Sequence, residues 1–365
     1  MSSQTSPQEK QAPRVGAAQL KLLERLTNAC AVSGDEGEVR QIVLDEIRPH
    51  VDEVKVDHLG NVLASKAGST QDRLRVMLAA HMDEIGFMLT QNEDKDGGIF
   101  RFGVVGGVSP SHLAGQPVLI GKGHVPGVIG AKPVHLTTND ELRTPLSVDS
   151  LRIDVGPGNS SKVKIGDRAT FATRFSRTGA SLRAKALDDR LGVATLIQLV
   201  KNAPANIDLL AAFTVQEEVG LRGAKVAAYA LEPDVAIALD TTPATDLPAW
   251  DGSENTRYNT RLGEGPAIYV ADAATLSDPR LIRFLVETAL AAGIPYQIRQ
   301  PGGGGTDAGA MHKQRAGIPT VSISVPGRYL HTPLSITRLS DWKNTLALVY
   351  TALSQLTPDL FKVDR

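Results

Sequence analysis

The chain has 365 residues, 42% of them hydrophobic, and a formal net charge of −1. This length is enough for one large domain or two ordinary ones, each with its own core. The charge is balanced and no run of basic residues is present, which argues against nucleic acid as a partner. An aromatic content of 4% also leaves few stacking platforms for single strands or for polysaccharide.

Cysteine usage and the amino-terminal composition limit the kind of site and its setting. Cys30 is the only cysteine, which excludes an intrachain disulfide and a metal cage of several thiolates. Any metal ion must then be held by histidines and carboxylates. Residues 1–15 are polar and predict a disordered tail, not a signal peptide. Because no stretch approaches the roughly 18 apolar residues of a membrane span, we expect a cytoplasmic protein without membrane contact.

The first 90 residues predict two helices followed by strands. Apolar residues recur at helical spacing over 17–31 and over 36–47, and Cys30 falls on the apolar face of the first helix. The run 51–67 predicts a hairpin. The run 73–89 is apolar enough to be one central strand of a sheet.

The composition and the hydrophobic pattern of the sequence change between residues 91 and 176. Glycine, valine and short alternating runs replace the helical periodicity, and no convincing helix is found in this stretch. We therefore predict a small β-barrel or sandwich, inserted into a larger domain.

Helices and strands alternate again after Arg183. This alternation predicts an α/β domain, formed by residues 16–90 and 177–365, in which helices sandwich a mostly parallel sheet. The predicted strands cover 208–216, 234–240, 267–270, 296–299 and 319–325. The predicted helices cover 189–202, 222–230, 279–293 and 339–356, with a short helix that opens at Thr306.

Two adjacent glutamates, Glu217 and Glu218, end the strand predicted over 208–216. Ligands bind in open α/β sheets at the edge where such strands end. Neighbouring residues of a regular strand point to opposite faces, so the pair could not flank one glycosidic bond in the manner of a glycosidase. A metal centre that attracts both acids explains the pair, and a solvated turn is the alternative.

Other acids and imidazoles also follow apolar runs, so the same edge of a parallel sheet would receive them all. They are His81, Asp83, Asp188, Asp189, Asp240 and His331. Taken one at a time, each fits a structural role such as a core histidine, a helix cap, a loop residue or an Asp–Arg pair. Together they predict a metal centre, in which three carboxylates and a hydroxide would balance two divalent ions.

Several motifs give the chain a specific resemblance to a known family. They are AHMDEIGF, KALDDR, QEEVGLRGA, ALDTTPATD, GGGGTDAGA and RYLHTP, in this order. Over nearly its whole length the sequence resembles the two-metal aminopeptidases of the glutamyl aminopeptidase and tetrahedral aminopeptidase (TET) family. The resemblance implies the co-catalytic metallo-exopeptidase fold. It also implies that the inserted domain, a barrel or PDZ-like domain, serves dimerisation and assembly into a dodecamer.

The resemblance assigns a role to each of the metal-type residues. Asp188 would bridge two divalent ions, which could be Zn, Co or Mn. His81 and Asp240 would complete the site of one ion. Glu218 and His331 would complete the site of the other.

The resemblance also implies roles for residues that bind no ion. Glu217 would be the general base towards the metal-activated water and then the general acid to the leaving amine. Asp83 would fix the tautomer of the neighbouring imidazole. The glycine-rich loop would line the substrate side, which makes Thr306 and Asp307 candidates for shaping the pocket. Thr306 alternatively fits a helix cap.

The implied activity is removal of amino-terminal residues from short peptides by a homo-oligomer built from dimers. We expect a broad or aliphatic preference, such as leucine. Two alternatives stay open: an endoglucanase-type glycosidase, as some relatives are labelled, and a non-catalytic assembly protein. His135 and His312 are expected to be structural. Residues 248–263 are more polar than a tight connection needs and could contact another subunit.

Overall fold

The computed structural model describes residues 12–94, 96–249, 251–256, 259–299 and 302–362. Its helices are α1 (Ala17–Asn28), α2 (Gly37–Ile47), α3 (Asn139–Arg143), α4 (Leu187–Lys201), α5 (Arg222–Leu231), α6 (Pro279–Ala292), α7 (Ala308–Met311) and α8 (Leu339–Gln355). Its strands are β1 (Glu53–Val56), β2 (Val62–Lys66), β3 (Leu74–His81), β4 (Gly86–Asp94), β5 (Ile99–Val105), β6 (Pro117–Ile120), β7 (Val125–Gly130), β8 (Arg152–Asp154), β9 (Arg168–Phe171), β10 (Ser176–Thr178), β11 (Ser181–Ala184), β12 (Ile207–Thr214), β13 (Val235–Pro243), β14 (Ala267–Ile268), β15 (Gln297–Ile298), β16 (Thr320–Arg328) and β17 (Ser335–Arg338).

One mixed sheet forms the centre of the larger domain. Its strands lie in the order β1-β2-β12-β3-β13-β16-β17-β11-β10, with β14 and β15 beside β16. The central strands β12, β3, β13 and β16 are parallel to one another, and antiparallel strands extend the sheet at both edges. The prediction of an α/β fold is confirmed, and the parallel strands are those that lead to the candidate site.

Helices cover both faces of this sheet because the residues of β12, β3 and β13 alternate between two apolar cores. In β3, Leu78 belongs to the core that includes α1, α2, α4, α6 and α8. Its neighbour Met77 belongs to the core on the opposite face, with α5 and α7. In the larger core, the indole N–H of Trp342 in α8 donates to the hydroxyl of Thr195 in α4 at 3.0 Å.

A closed barrel with strand order β4-β5-β8-β7-β6-β9 is inserted between β3 and β10. In its core Phe87 packs edge-to-face on Phe102 and Phe171, with ring centroids 5.2 and 5.3 Å apart. The barrel begins at Gly86, so the run 73–89, predicted as one strand, is two strands in two domains. The residues 82–85 between them cross from the sheet to the barrel, and a count of apolar residues does not detect that crossing.

The connection between β7 and β8 differs from the prediction that the insertion has no helix. It contains α3, which has 5 residues and begins with a capping box. Thr138 Oγ1 accepts the backbone N–H of Glu141 at 3.3 Å, and Glu141 Oε2 accepts the backbone N–H of Thr138 at 2.8 Å. So short a helix has no apolar periodicity, and only its Thr-x-x-Glu cap could have indicated it.

Glu84 links the sheet domain to the barrel through a buried ionic cluster. Its carboxylate accepts from Lys185 Nζ at 2.8 Å and from Arg190 Nη2 at 3.2 Å. It also accepts from the hydroxyl of Thr170, in β9, at 2.8 Å and from the backbone N–H of Ala31 at 3.0 Å. One carboxylate therefore compensates two buried cations at the junction of the two domains.

Two predicted segments are only partly covered by the structure. Of the predicted tail, residues 1–11 lie outside the described residues, whereas Val15 is buried against the main core. Of the segment 248–263, Trp250, Arg257 and Tyr258 lie outside them. Within the described ranges, no helix combines the length and the apolar character that a membrane crossing requires.

Candidate metal centre

The parallel strands bring the candidate metal ligands to one edge of the sheet. His81 is the last residue of β3 and pairs with Thr214, the last residue of β12. Asp240 lies in β13, which flanks β3 on its other side. Glu218 follows β12, and His331 follows β16. Asp188 does not belong to a strand and lies in the first turn of α4.

These residues form two groups that share Asp188. In the first group, His81 Nε2 lies 3.3 Å from Asp188 Oδ1 and 3.9 Å from Asp240 Oδ1. In the second group, His331 Nε2 lies 3.6 Å from Asp188 Oδ2 and 3.5 Å from Glu218 Oε2. Within each group, one potential ligand atom per residue lies within 4.8 Å of the others. Asp188 thus presents one oxygen to each group, as a bridging ligand must.

Hydrogen bonds at the Nδ1 atoms orient both Nε2 atoms towards Asp188, where each could bind a metal ion. His81 Nδ1 lies 3.2 Å from the carbonyl oxygen of Asp83, and His331 Nδ1 lies 2.9 Å from that of Gly107. A proton on each Nδ1, donated to the carbonyl, places the lone pair on Nε2. Gly107 follows barrel strand β5, and a Cβ there would lie 3.2 Å from His331 Nδ1. The barrel therefore contributes to the site by close backbone contact.

Asp83 holds the loop that carries the two glutamates. Its Oδ1 accepts the backbone N–H of Glu217 at 3.0 Å, and its Oδ2 accepts that of Glu218 at 3.2 Å. Oδ2 also accepts the hydroxyl of Ser33 at 2.6 Å, and Oδ1 lies 3.5 Å from His81 Nδ1. Burial alone would raise the pKa of Asp83, but these partners lower it, so the carboxylate stays ionised. No feature of the sequence indicated Ser33.

Glu217 lines the adjoining cavity and, among the described residues, belongs to neither ligand group. Burial raises the pKa of Glu217 well above the usual carboxyl range, and the charges of Asp307 and Glu218 add to this effect. A carboxyl group with a raised pKa can accept and return a proton near neutral pH. Beyond Glu217 the loop turns back at Gly220, whose φ of +120° suits only glycine.

The site holds more acids than its two imidazoles can neutralise. Burial raises the pKa of Asp240 and raises that of Glu218 to about 7, and the charge of Asp188 adds to both shifts. The pKa of Asp188 itself is lowered, because hydrogen bonds from His331 and His81 outweigh the effect of burial. A bound cation would relieve this repulsion. Imidazoles and carboxylates without a thiolate form a donor set that fits Zn, Co or Mn.

Asp189 lies next to the bridging position but outside both groups. Its Oδ1 accepts the backbone N–H of Gly192 at 2.9 Å, within the first turns of α4. Its Oδ2 is buried without a hydrogen-bond partner among the described residues. The structure therefore separates the adjacent acids, with Asp188 between the histidines and Asp189 in the helix start.

A cavity of about 680 Å³ opens beside the two groups, and the glycine-rich loop lines it with Gly303 to Gly305. Thr306 and Asp307 are buried and do not line it. Thr306 Oγ1 lies 2.5 Å from Ser322 Oγ, and Asp307 Oδ2 accepts the hydroxyl of Thr214 at 2.5 Å. The structure thus places both residues behind the cavity wall, where they hold the loop to the last residue of β12 and to the first half of β16.

Two residues in the cavity wall, Arg299 and Tyr269, were not predicted from the sequence. Arg299 is only 4% exposed, and its guanidinium carbon lies 4.5 Å from the centroid of the Tyr269 ring. Within the described residues its hydrogen bonds go to uncharged acceptors: the hydroxyl of Thr242 and the carbonyls of Ala271 and Gly303. The only available signal was a charged residue between a short strand and the glycine-rich loop.

His135 and His312 lie away from the cavity wall. His135 is exposed in the connection between β7 and β8. His312 follows α7 as its C-cap, and its Nδ1 lies 2.8 Å from the carbonyl oxygen of Ala308. Neither side chain takes part in the two ligand groups.

Residues 60–348 match the M42 glutamyl aminopeptidase family. The lysyl aminopeptidase of Pyrococcus furiosus is 35% identical, over 93% of this chain and 97% of its own length. The glutamyl aminopeptidase of Lactococcus lactis is 31% identical, over 92% of this chain and 96% of its own length.

Solved structures agree with this match. An aminopeptidase of the archaeon Desulfurococcus kamchatkensis superposes with a TM-score of 0.88 at 34% identity, over 94% of this chain and 97% of its own. The TET1 peptidase of Pyrococcus horikoshii can assemble into a tetrahedron or a large octahedral shell. It superposes with a TM-score of 0.81 at 32% identity, over 93% of this chain and 100% of its own. These peptidases overturn the alternatives of a glycosidase and of a non-catalytic assembly protein. The chain belongs to the M42 glutamyl aminopeptidase family of metal-dependent aminopeptidases.

Proposed function

We propose that this aminopeptidase removes the amino-terminal residue of short peptides with two divalent ions, held at the carboxyl edge of its parallel strands. The observation that carries the proposal is the pair of ligand groups that share Asp188. His81 and Asp240 would hold one ion together with Asp188, and Glu218 and His331 the other. When bound, such ions polarise the scissile carbonyl group and lower the pKa of water.

Glu217 performs the proton transfers in this proposal. Its carboxylate takes a proton from the attacking water as the new carbon–oxygen bond forms. The same proton then passes to the leaving amine as the carbon–nitrogen bond breaks, which returns Glu217 to its starting state. The raised pKa of Glu217 suits both transfers. The N–H groups of this loop donate to Asp83, which keeps the backbone of Glu217 in place.

Arg299 supports a preference for acidic amino-terminal side chains. Its buried guanidinium is part of the cavity wall, and its hydrogen-bond partners among the described residues are uncharged, so a substrate carboxylate would supply an anionic partner there. A guanidinium group can donate two parallel hydrogen bonds to one carboxylate, which makes the pair bidentate. Relatives are named for both glutamyl and lysyl substrates, so membership of the family does not fix the substrate preference. That preference must depend on the residues of this chain's own pocket. We propose this acidic preference in place of the broad or aliphatic one expected from the sequence.

Assembly of several copies is also part of the proposal. The TET1 peptidase of Pyrococcus horikoshii can assemble into a tetrahedron or a large octahedral shell. In this chain, exposed apolar side chains are concentrated in the connection between barrel strands β7 and β8. Such a concentration is typical of a protein–protein contact.

Release of p-nitroaniline from aminoacyl-p-nitroanilides tests the catalytic proposal. We expect chelation to abolish hydrolysis and Zn, Co or Mn to restore it. In Glu217→Gln, kcat should fall by about 10²- to 10⁴-fold, since one proton-transfer group is lost. Metal analysis of that variant should find as many ions per chain as in the wild type.

The matched control is Glu53→Gln, at an exposed position of the edge strand β1, which should hydrolyse at the wild-type rate. Activity that survives chelation would refute the metal requirement. Full activity in Glu217→Gln would refute the role of Glu217 while leaving the metal proposal intact.

A further inference from the structure

A second group of metal-type side chains lies away from the active-site cavity. Cys30 follows α1, Glu38 lies in the first turn of α2, and His124 lies in the turn between barrel strands β6 and β7. One potential ligand atom of each lies within 4.8 Å of the others. The residues come from separate elements and from both domains, so only the tertiary fold brings them together.

Hydrogen bonds already order this group. Glu38 Oε2 accepts the backbone N–H of Cys30 at 2.9 Å, and Glu38 Oε1 lies 2.5 Å from His124 Nε2. The side chains of His124 and Glu38 are 37% and 39% exposed, and Cys30 is half-buried. Cys30 and Glu38 also line a cavity of about 390 Å³ between α2 and the barrel. The group is thus accessible to a small ion and has room for a further ligand.

We propose that Cys30, Glu38 and His124 bind one divalent cation of the zinc type and thereby clamp the barrel to the α/β domain. A thiolate, a carboxylate and an imidazole are all zinc ligands. At bond lengths of about 2.0 to 2.3 Å, the ligand atoms of a tetrahedral site lie about 3.3 to 3.8 Å apart, so small side-chain rotations would close the site. A water molecule from the cavity completes the four ligands.

An ion pair between Glu38 and His124 explains their contact but not the thiol beside them. Burial raises the pKa of the Cys30 thiol to about 11, so without a metal ion it is protonated and a poor nucleophile. Metal binding replaces this proton with a metal–sulfur bond and releases the proton to solvent.

The charged side chains around the cavity do not attract cations in general, because Lys122 and Arg168 offset Asp35 and Glu38. Binding therefore depends on direct bonds to the ligands. Such a site selects Zn²⁺ or Co²⁺ over the hard cations Mg²⁺ and Ca²⁺, which prefer oxygen ligands alone.

Titration of the full-length protein with Co²⁺ tests this proposal by absorption spectroscopy. Cys30 is the only cysteine, so a sulfur-to-cobalt charge-transfer band in the near ultraviolet reports this site alone. The ligand groups of the active site contain no sulfur and give no such band. We expect the band to saturate at an intensity that corresponds to one thiolate-bound Co²⁺ per chain, in addition to any Co²⁺ held by the active-site groups. It should vanish on addition of excess Zn²⁺ and persist in excess Mg²⁺. Cys30→Ser should abolish it, and His124→Ala should weaken Co²⁺ binding by about tenfold or more.

The matched control is Asp188→Asn, which alters the active-site groups and should keep the band while it loses peptide hydrolysis. Cys30→Ser should show the opposite pattern, because Cys30 takes no part in catalysis. Should His124→Ala fail to fold, labelling of wild-type Cys30 by iodoacetamide decides instead, since Zn²⁺ and not Mg²⁺ should slow it. Absence of the band from the wild type, or an unchanged band in both His124→Ala and Glu38→Gln, overturns the proposal.

Discussion

Arg299 is a buried cation in the cavity wall, and its charge should set the substrate preference. We expect the wild type to prefer glutamyl over leucyl and lysyl substrates. In Arg299→Glu, the ratio of kcat/KM for glutamyl over lysyl p-nitroanilide should fall by about 30-fold or more. The physical reason is that a desolvated charge pair is worth about 2 kcal/mol or more, which an opposed pair forfeits. Steady-state kinetics on the three substrates measure the ratio.

Two variants control for effects on folding and for charge alone. Arg283→Glu reverses an exposed charge on α6 and should leave the ratio unchanged. Arg299→Lys keeps the charge but loses the planar fork, so an intermediate ratio is expected. A wild type that favours leucyl substrates, with a ratio insensitive to Arg299→Glu, would remove Arg299 from substrate selection without affecting the aminopeptidase assignment.

Asp83 connects one candidate metal ligand, His81, to the loop that carries Glu217 and Glu218. In Asp83→Asn, an NH₂ group replaces one of the two carboxylate oxygens. That group would face a backbone N–H donor of the loop, so we expect the loop to shift. We expect apparent metal affinity to fall by about 10- to 100-fold, and excess metal to restore part of the rate. Activity measured against metal concentration tests this, with the exposed Asp140→Asn as control. An unchanged metal dependence would argue against this positioning role.

At the scale of elements, the junction between sheet and barrel depends on the ionic cluster around Glu84. The pKa of Glu84 is lowered, since Lys185 and Arg190 outweigh the effect of burial, so the carboxylate is charged at neutral pH. Glu84→Gln would leave two buried cations without their anion. We expect a loss of about 3 to 5 kcal/mol in the free energy of unfolding. Thermal and urea unfolding of the variant and the wild type measure it.

The exposed pair of Lys132 and Glu141 supplies the matched control for Glu84→Gln. Glu141→Gln removes a carboxylate of the same type from a solvent-exposed ion pair, which contributes little to stability because water screens both charges. Equal losses in the two variants would show that the Glu84 cluster contributes no more than a surface pair.

At the scale of the whole molecule, long apolar periods were enough to predict the elements that build the sheet domain. The final helix, predicted over 339–356, is Leu339–Gln355, and the strands that lead to the glutamates and Asp240 were also recognised. The strands predicted over 267–270 and 296–299 are present as β14 and β15, but each is shortened to two residues, which pair with neighbouring strands. Periodicity alone did not show that the run 73–89 divides between two domains. The position of Arg299 in the cavity wall likewise depends on residues distant in sequence, such as Tyr269, and could not be predicted from its sequence neighbours.

The surface of the barrel should determine how many copies of the chain associate. In the connection between β7 and β8, Val134, Leu136 and Leu142 are 71%, 61% and 58% exposed. Exposed apolar side chains that lie so close in sequence favour contact with a second copy, because burial removes them from water. The triple variant Val134→Ser, Leu136→Ser and Leu142→Ser should therefore form smaller assemblies than the wild type, as measured by light scattering after size exclusion.

Hydrolysis per chain of a small aminoacyl-p-nitroanilide should persist in this triple variant, since none of its three positions lines the active-site cavity. Leu290→Ser replaces an exposed leucine on α6, in the other domain, and should leave the molar mass of the assembly unchanged. A triple variant of wild-type mass would show that the contact between copies lies elsewhere. A loss of mass with Leu290→Ser alone would place it on the α/β domain, with the apolar connection of the barrel free to serve another partner.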